Sequence, residues 1–487
     1  MGVALGGSLP EEMRVTTVGA VESATSSPVA ATVARTPSLV SSTPESARST
    51  ASPTSQESQA AIGVHANLLA SLAATVRTDS AASIASDCVL LYTRCIFGVA
   101  PLCYEATLRE GISRFLPLIG DDYQEVLSSV LRDFTAANEP DRVGALRQFT
   151  QLTSLCAFIA HSLPASLVRY KHLIAPIFLR AAREMLRIYE DYDLEHPDST
   201  SLSVRVCLAA AIQHATGKTG VAWNTLGQAG LIAQRMRLYD ERSLEGREPL
   251  EAQLLRYSFW QLYISDKTAV VVKGRPVTLH ERLFDTALSL QICPRNPKPL
   301  LNNDGALGDA RLECRLIEGF RIICRLWTMA AELMEALELG TWAEGEICPG
   351  SSRCLQGRSI TKLTESYFAI ITLANNLPAW VREESPAAGG DRPEVQINSL
   401  QLQRMRILVT ISCVKFLLSN AAIRCNMPEV IGLSPQPLTL AMRQIELAQD
   451  FLNVIEGVPV LHIQIEGEHC VSKKGRCGAL KCRIGAR

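Results

Sequence analysis

The 487-residue chain is 47% hydrophobic and 20% charged, ordinary values for a globular protein with a substantial core. Its 48 Lys and Arg against 49 Asp and Glu leave a formal net charge of −1, which excludes a broad positive field for a polyanion and confines any nucleic-acid contact to a local patch. Fifteen cysteines would suit a disulfide or metal protein, yet no C-x-x-C pair occurs. Cys156, Cys207, Cys314, Cys324 and Cys413 instead sit within apolar helical patterns, where a thiol behaves as a small hydrophobe. The N-terminus lacks the basic start and long apolar run of a secretory signal, and the myristoylation pattern fails at Gly6. No apolar run reaches membrane-spanning length without a charge. A soluble intracellular protein with reduced thiols and no membrane contact is expected.

Residues 1–80 are rich in Ser, Thr, Ala and Pro and nearly free of aromatic residues. Such a segment buries too little apolar surface to offset its ordering entropy, so it is predicted as a disordered tail with one short helix around 67–76. From residue 83 onward apolar residues recur at helical spacing between polar or Pro/Gly breaks. Ser86 and Asp87 can cap a helix through Leu90, Leu91 and Cys95 that Pro101 stops. Further helices are predicted over 104–115, 122–135, 142–160, 167–192, 202–214, 222–238, 249–272, 311–337, 359–377, 399–425 and 437–455. The expected fold class is all-α: a large helical bundle or array over 81–468, with no evident repeat and with exposed loops at 293–308 and 378–393. Residues 469–487 form a basic, cysteine-containing tail that loses helical periodicity abruptly, for which a gene-model artefact such as a retained intron is one explanation.

Motifs for chemistry fail one by one. Gly217-Lys218-Thr219 has the closing half of a phosphate loop, but Ile212 stands where the first glycine belongs and the preceding run reads as helix rather than strand, so a turn between helices is expected. His280-Glu281 lacks the second histidine of a zinc-protease helix, and no nucleophile elbow occurs. Glu190-Asp191-Tyr192-Asp193 reads as a solvated helix end. Cys470, Cys477, Cys482 and His469 are too few and wrongly spaced to hold two zinc ions. Lys473-Lys474-Gly475-Arg476 is the one compact basic run, too short to be more than a weak nuclear-import or nucleic-acid signal. No catalytic, cofactor-binding or metal residue is assigned, and the chain is not expected to be an enzyme.

The segment 202–290 carries a more specific pattern. Ala222, Leu226, Ala229, Ala233 and Met236 share one helical face whose small residues allow close approach of another helix. The next helix sets Leu255, Phe259 and Leu262 on an apolar face, with Arg256 one turn before Trp260 at a spacing that permits a cation–π contact. Gly274 and Pro276 then break the helix. The ordered set of Trp223, Gly227, Ala229, Ala233 and Leu238, then Glu251, Arg256, Phe259, Trp260, Tyr263 and Asp266, then Gly274, Arg275 and Pro276 resembles the middle regulatory domain of fungal binuclear-zinc-cluster transcription factors. The weaker helical resemblance runs over about 85–468.

The resemblance implies an all-helical regulatory domain acting in the nucleus and controlling a metabolic or secondary-metabolite gene set. It implies protein partners, either a DNA-binding transcription factor or coregulators, and leaves room for a small-molecule effector and a homodimer. Such factors read DNA through six cysteines holding two zinc ions. Residues 1–87 contain no cysteine, so DNA contact is expected to be indirect, through a partner, or supplied by a missing zinc-cluster exon. No cofactor is expected in this chain, zinc entering only with such a cluster. Arg256, Trp260, Asp266 and Arg275 are expected to lock the turn after their helix, by an Asp–Arg pair or by arginine on the last helix carbonyls. The alternative is a helical enzyme or scaffold with a small-molecule pocket and no transcriptional role.

Overall fold

The computed structural model describes residues 53–117, 123–272, 277–302, 310–343, 352–382 and 398–465. Helix follows helix: α1 (Pro53–Thr75), α2 (Ala81–Leu91), α3 (Glu105–Phe115), α4 (Tyr123–Phe134), α5 (Glu139–Ser162), α6 (Lys171–Glu195) and α7 (Ser199–Thr216). After these come α8 (Thr219–Arg235), α9 (Pro249–Val272), α10 (Ala310–Ala343), α11 (Ser352–Asn375), α12 (Ala379–Arg382), α13 (Ser399–Arg424) and α14 (Pro437–Glu456). No strand occurs among the described residues, so the fold is all-α as its periodicity predicts. The described residues fall within one unit, Ala51–Arg487.

The predicted disordered tail is corrected over 53–80. Ala61, Val64, Leu68 and Leu72 follow one another at three- and four-residue spacing and are all buried, so α1 is an amphipathic helix that packs on α6, α4 and α2. Its many alanines hide this stripe in a composition count. The rest of that tail, residues 1–52, and the tail expected at 469–487 lie outside the described residues.

The cap of α2 is Ser80 rather than Ser86 or Asp87, its hydroxyl accepting from the Ser83 N–H at 3.0 Å. The helix then widens into one π-turn, Tyr92–Ile96. There the buried Tyr92 hydroxyl donates to the Ala100 carbonyl and accepts from the N–H groups of Leu102 and Cys103, all within 3.2 Å. This ties down the irregular stretch before α3.

Helix α5 is the hub, packed against α6, α7, α2, α3 and α4. Residue 167 does not begin α6 as expected. The chain first turns through Tyr170, whose φ of 56° is left-handed, and the helix starts at Lys171. Gly217 ends α7 at φ 63° and Lys218 precedes α8, so the Gly-Lys-Thr stretch is a helix-to-helix turn. Helix α13 is long and apolar enough to cross a membrane. Yet 67% of its most apolar window is buried inside the protein, where it packs against α10 and α14, so it reads as a core helix. Of the five cysteines expected in apolar faces, Cys314 is exposed and the other four are buried.

Candidate functional site

Helix α9 is buried on nearly every side, including its polar residues Gln253, Arg256, Asp266 and Lys267. Buried polar groups need partners. They find them in residues 277–302, which hold no helix beyond the single turn Glu281–Leu283. An irregular segment cannot satisfy its own backbone N–H and C=O groups. Here the side chains of α9 do it. Gln253, Arg256, Trp260, Tyr263 and Lys267 recur at three- and four-residue spacing, so they share a face, and the segment runs back along that face as a strap.

The contacts follow the strap in chain order and α9 in reverse. Asp266 Oδ2 accepts from the Thr278 N–H at 2.8 Å, from the Thr278 hydroxyl at 2.6 Å and from the Leu279 N–H. The Tyr263 hydroxyl donates to Glu281, and Lys267 Nζ meets Glu281 Oε2 at 2.6 Å. Arg256 Nη1 and Trp260 Nε1 both donate to the Gln291 carbonyl, at 2.8 and 3.2 Å. Gln253 pairs with Lys298 like a strand neighbour, donating to its carbonyl at 2.9 Å and accepting from its N–H at 2.8 Å. Beyond α9, Glu313 of α10 accepts from the N–H groups of Leu300 and Leu301, and Glu105 of α3 accepts from that of Asn302.

Arg256 does not engage the Trp260 ring, the contact that its spacing permits. It forms a fork with Glu241, both N–O distances being 2.6 Å, and Glu241 also accepts from the Gln291 N–H at 2.8 Å. The Arg256 hydrogen bond holds the Glu241 carboxyl below its usual range, against the effect of burial. At Glu281 burial works against the charge, and the Lys267 ammonium and Tyr263 hydroxyl outweigh it, so that carboxyl also lies low. Burial and the neighbouring Glu281 push the Tyr263 hydroxyl well above the ordinary tyrosine range. The cation on a ring in this cluster is Lys267, 4.8 Å from the centre of Tyr263.

The other side of the strap rests on α8. A Cβ on Gly230 would stand 3.3 Å from the Thr278 hydroxyl oxygen, and one on Gly227 would stand 4.0 Å from the Thr278 methyl carbon. Gln234 Nε2 donates to the Thr278 carbonyl at 2.8 Å. Ala229 is fully buried, and α8 packs chiefly on α7. Trp223 is half-buried, its indole N–H enclosed without an acceptor among the described residues. Gly274, Arg275 and Pro276 lie outside the described residues. Glu251 has a separate task at the start of α9, its carboxylate accepting from the N–H and hydroxyl of Ser199 at the start of α7.

A second polar cluster contradicts the sequence reading. Asp193, expected on a solvated helix end, is fully buried and shared by two arginines. Arg205 Nη1 lies 2.5 Å from one of its oxygens, and Arg147 Nε and the Ser201 hydroxyl reach the other at 2.9 and 2.6 Å. Arg147 also pairs with Asp198, the N-cap of α7, at 2.8 Å. The acidic run ends against α5 and α7 because α6 kinks at Tyr189, where φ is −118° and ψ 15°. That kink has no sequence signal.

Among the described residues no group of three His, Cys, Asp or Glu side chains is placed to hold a metal. The arrangement fixes one register of a long irregular segment between two helices, so a shift of α8 or α9 must move the strap. Residues 150–309, which contain the strap and every motif residue singled out in the sequence, match the family model described as the fungal specific transcription factor domain. No curated protein and no solved structure matched the chain.

Proposed function

Because the chain carries a fungal specific transcription factor domain over residues 150–309, we propose that it is a transcription regulator acting in the nucleus, with its helical body as the regulatory part. On this reading it controls a metabolic or secondary-metabolite gene set and reaches promoters through a protein partner that reads DNA. The domain match is the observation that carries the reading. The near-neutral charge of the 487 residues supports the indirect route, since it leaves no broad positive field for a polyanion. The strap along α9 is the element that a small-molecule effector or a coregulator would displace, since it joins α8, α9 and α10 without regular structure of its own.

The test pairs two measurements on the full chain. Chromatin precipitation of the tagged protein should recover a defined set of promoters whose transcripts change when the gene is deleted. The purified protein alone should not retain duplexes of those promoters at physiological salt. Recovery of no promoter, with an unchanged transcript profile, would sink the regulatory reading. Direct sequence-specific retention would overturn only the indirect route.

A further inference from the structure

Helix α6 presents Leu173, Pro176, Arg180, Arg183 and Arg187 to solvent along one face. At three- and four-residue spacing the arginines rise about 4.5 and 6 Å along the axis, one row of charge about 10 Å long. None of the three has a hydrogen bond or ion pair among the described residues. On the same face, toward the N-terminal end, Leu173 is 48% exposed. Arginine beside exposed apolar surface is the composition of a recognition surface rather than of a merely solvated one.

We propose that this face of α6 docks an acidic amphipathic helix of a partner protein. Carboxylates spaced three and four residues apart on that helix would meet the arginine row, each guanidinium offering a fork to one carboxylate. Apolar residues of the partner would cover Leu173 and Pro176. A nucleic-acid backbone fits less well: Glu184 stands half-exposed between the arginines, and the chain has no net positive charge to draw a uniform polyanion. The inference goes beyond the regulatory reading and does not depend on the strap.

The experiment is fluorescence anisotropy of the full chain with a fluorescein-labelled helical peptide of about 20 residues, built from Glu, Ala and Leu with the spacing above, beside a labelled DNA duplex. The peptide should bind with an affinity that falls as salt rises, and Arg180→Glu/Arg183→Glu/Arg187→Glu should weaken it at least about tenfold while the thermal midpoint holds. Leu173→Ser should weaken it a few-fold without altering the salt dependence. An absence of peptide binding, or binding that the triple variant leaves intact, overturns the proposal. Binding of the duplex in place of the peptide, lost in the triple variant, overturns it too and makes the face a phosphate contact.

Discussion

At the scale of single residues, Asp266 shows how a distinctive side chain earns its place in the strap. One carboxylate oxygen receives two backbone N–H groups and a hydroxyl from Thr278 and Leu279, and Leu279 is buried. In Asp266→Ala those donors lose their acceptor inside the protein. At about 1 kcal/mol or more for each stranded group, the loss should come to roughly 3 kcal/mol. Urea unfolding monitored by circular dichroism would read it as a lower midpoint, and an unchanged midpoint would show that the strap is not anchored there. Arg256, Trp260, Tyr263 and Asp266 were legible in the sequence because they are chemically distinctive residues at helical spacing. Their partners were not. Glu241, Thr278, Glu281 and Gln291 are ordinary polar residues until the chain doubles back, and local spacing carries no trace of that return. Asp193 misled for a related reason: three neighbouring acidic or aromatic residues suggested solvent, while its own partners sit 46 and 12 positions away at Arg147 and Arg205.

At the scale of elements, the helices were readable because their apolar periodicity is local, whereas the crossings between them were not. The contact of α10, α13 and the turn after the π-helical stretch is one such case. Gln403 of α13 is fully buried between Gly98 and Gly319, its Nε2 donating to the Gly98 carbonyl at 2.7 Å. A Cβ on Gly319 would lie 2.5 Å from Gln403 Nε2 and 2.7 Å from its Cγ, closer than atoms pack, so the glycine in the middle of α10 is there to let α13 approach. A conflict with Cγ cannot be relieved by rotating the amide alone. Gly319→Ala should therefore destabilise by roughly 1 to 3 kcal/mol despite its higher helix propensity. Removing the obstruction should reverse the sign. In a double-mutant cycle, Gly319→Ala combined with Gln403→Ala should cost clearly less than the two single changes added together. Simple additivity in thermal unfolding would mean that the crossing adjusts elsewhere.

At the scale of the whole molecule, the first of the described helices, α1, depends on a histidine for its seat. His65 is fully buried, with Nε2 at 2.8 Å from the Phe115 carbonyl and its ring centre 5.7 Å from that of Phe149 and 6.2 Å from that of Phe134. Nδ1 is enclosed without a partner. The groups facing the ring from α3, α4 and α5 are phenylalanines, and burial lowers its pKa from 6.5, only partly opposed by the Phe115 bond. The unfolded chain keeps the ordinary value, so below pH 6.5 it binds more protons than the folded chain does. The stabilising contribution is therefore complete above pH 6.5 and is lost as pH falls from there through the lower folded value. Protonation would place a cation beside the rings of Phe134 and Phe149 and the Phe115 carbonyl, where no charged group acts on it. The expected result is a thermal midpoint that drops across this window, with α1 released first because it is the element carrying the charge. His65→Leu keeps an apolar side chain of similar size at the site and removes the titration, so its midpoint should be flatter through the same window. If the wild type and His65→Leu lose stability in parallel, acid acts through other groups and the seat of α1 does not sense pH.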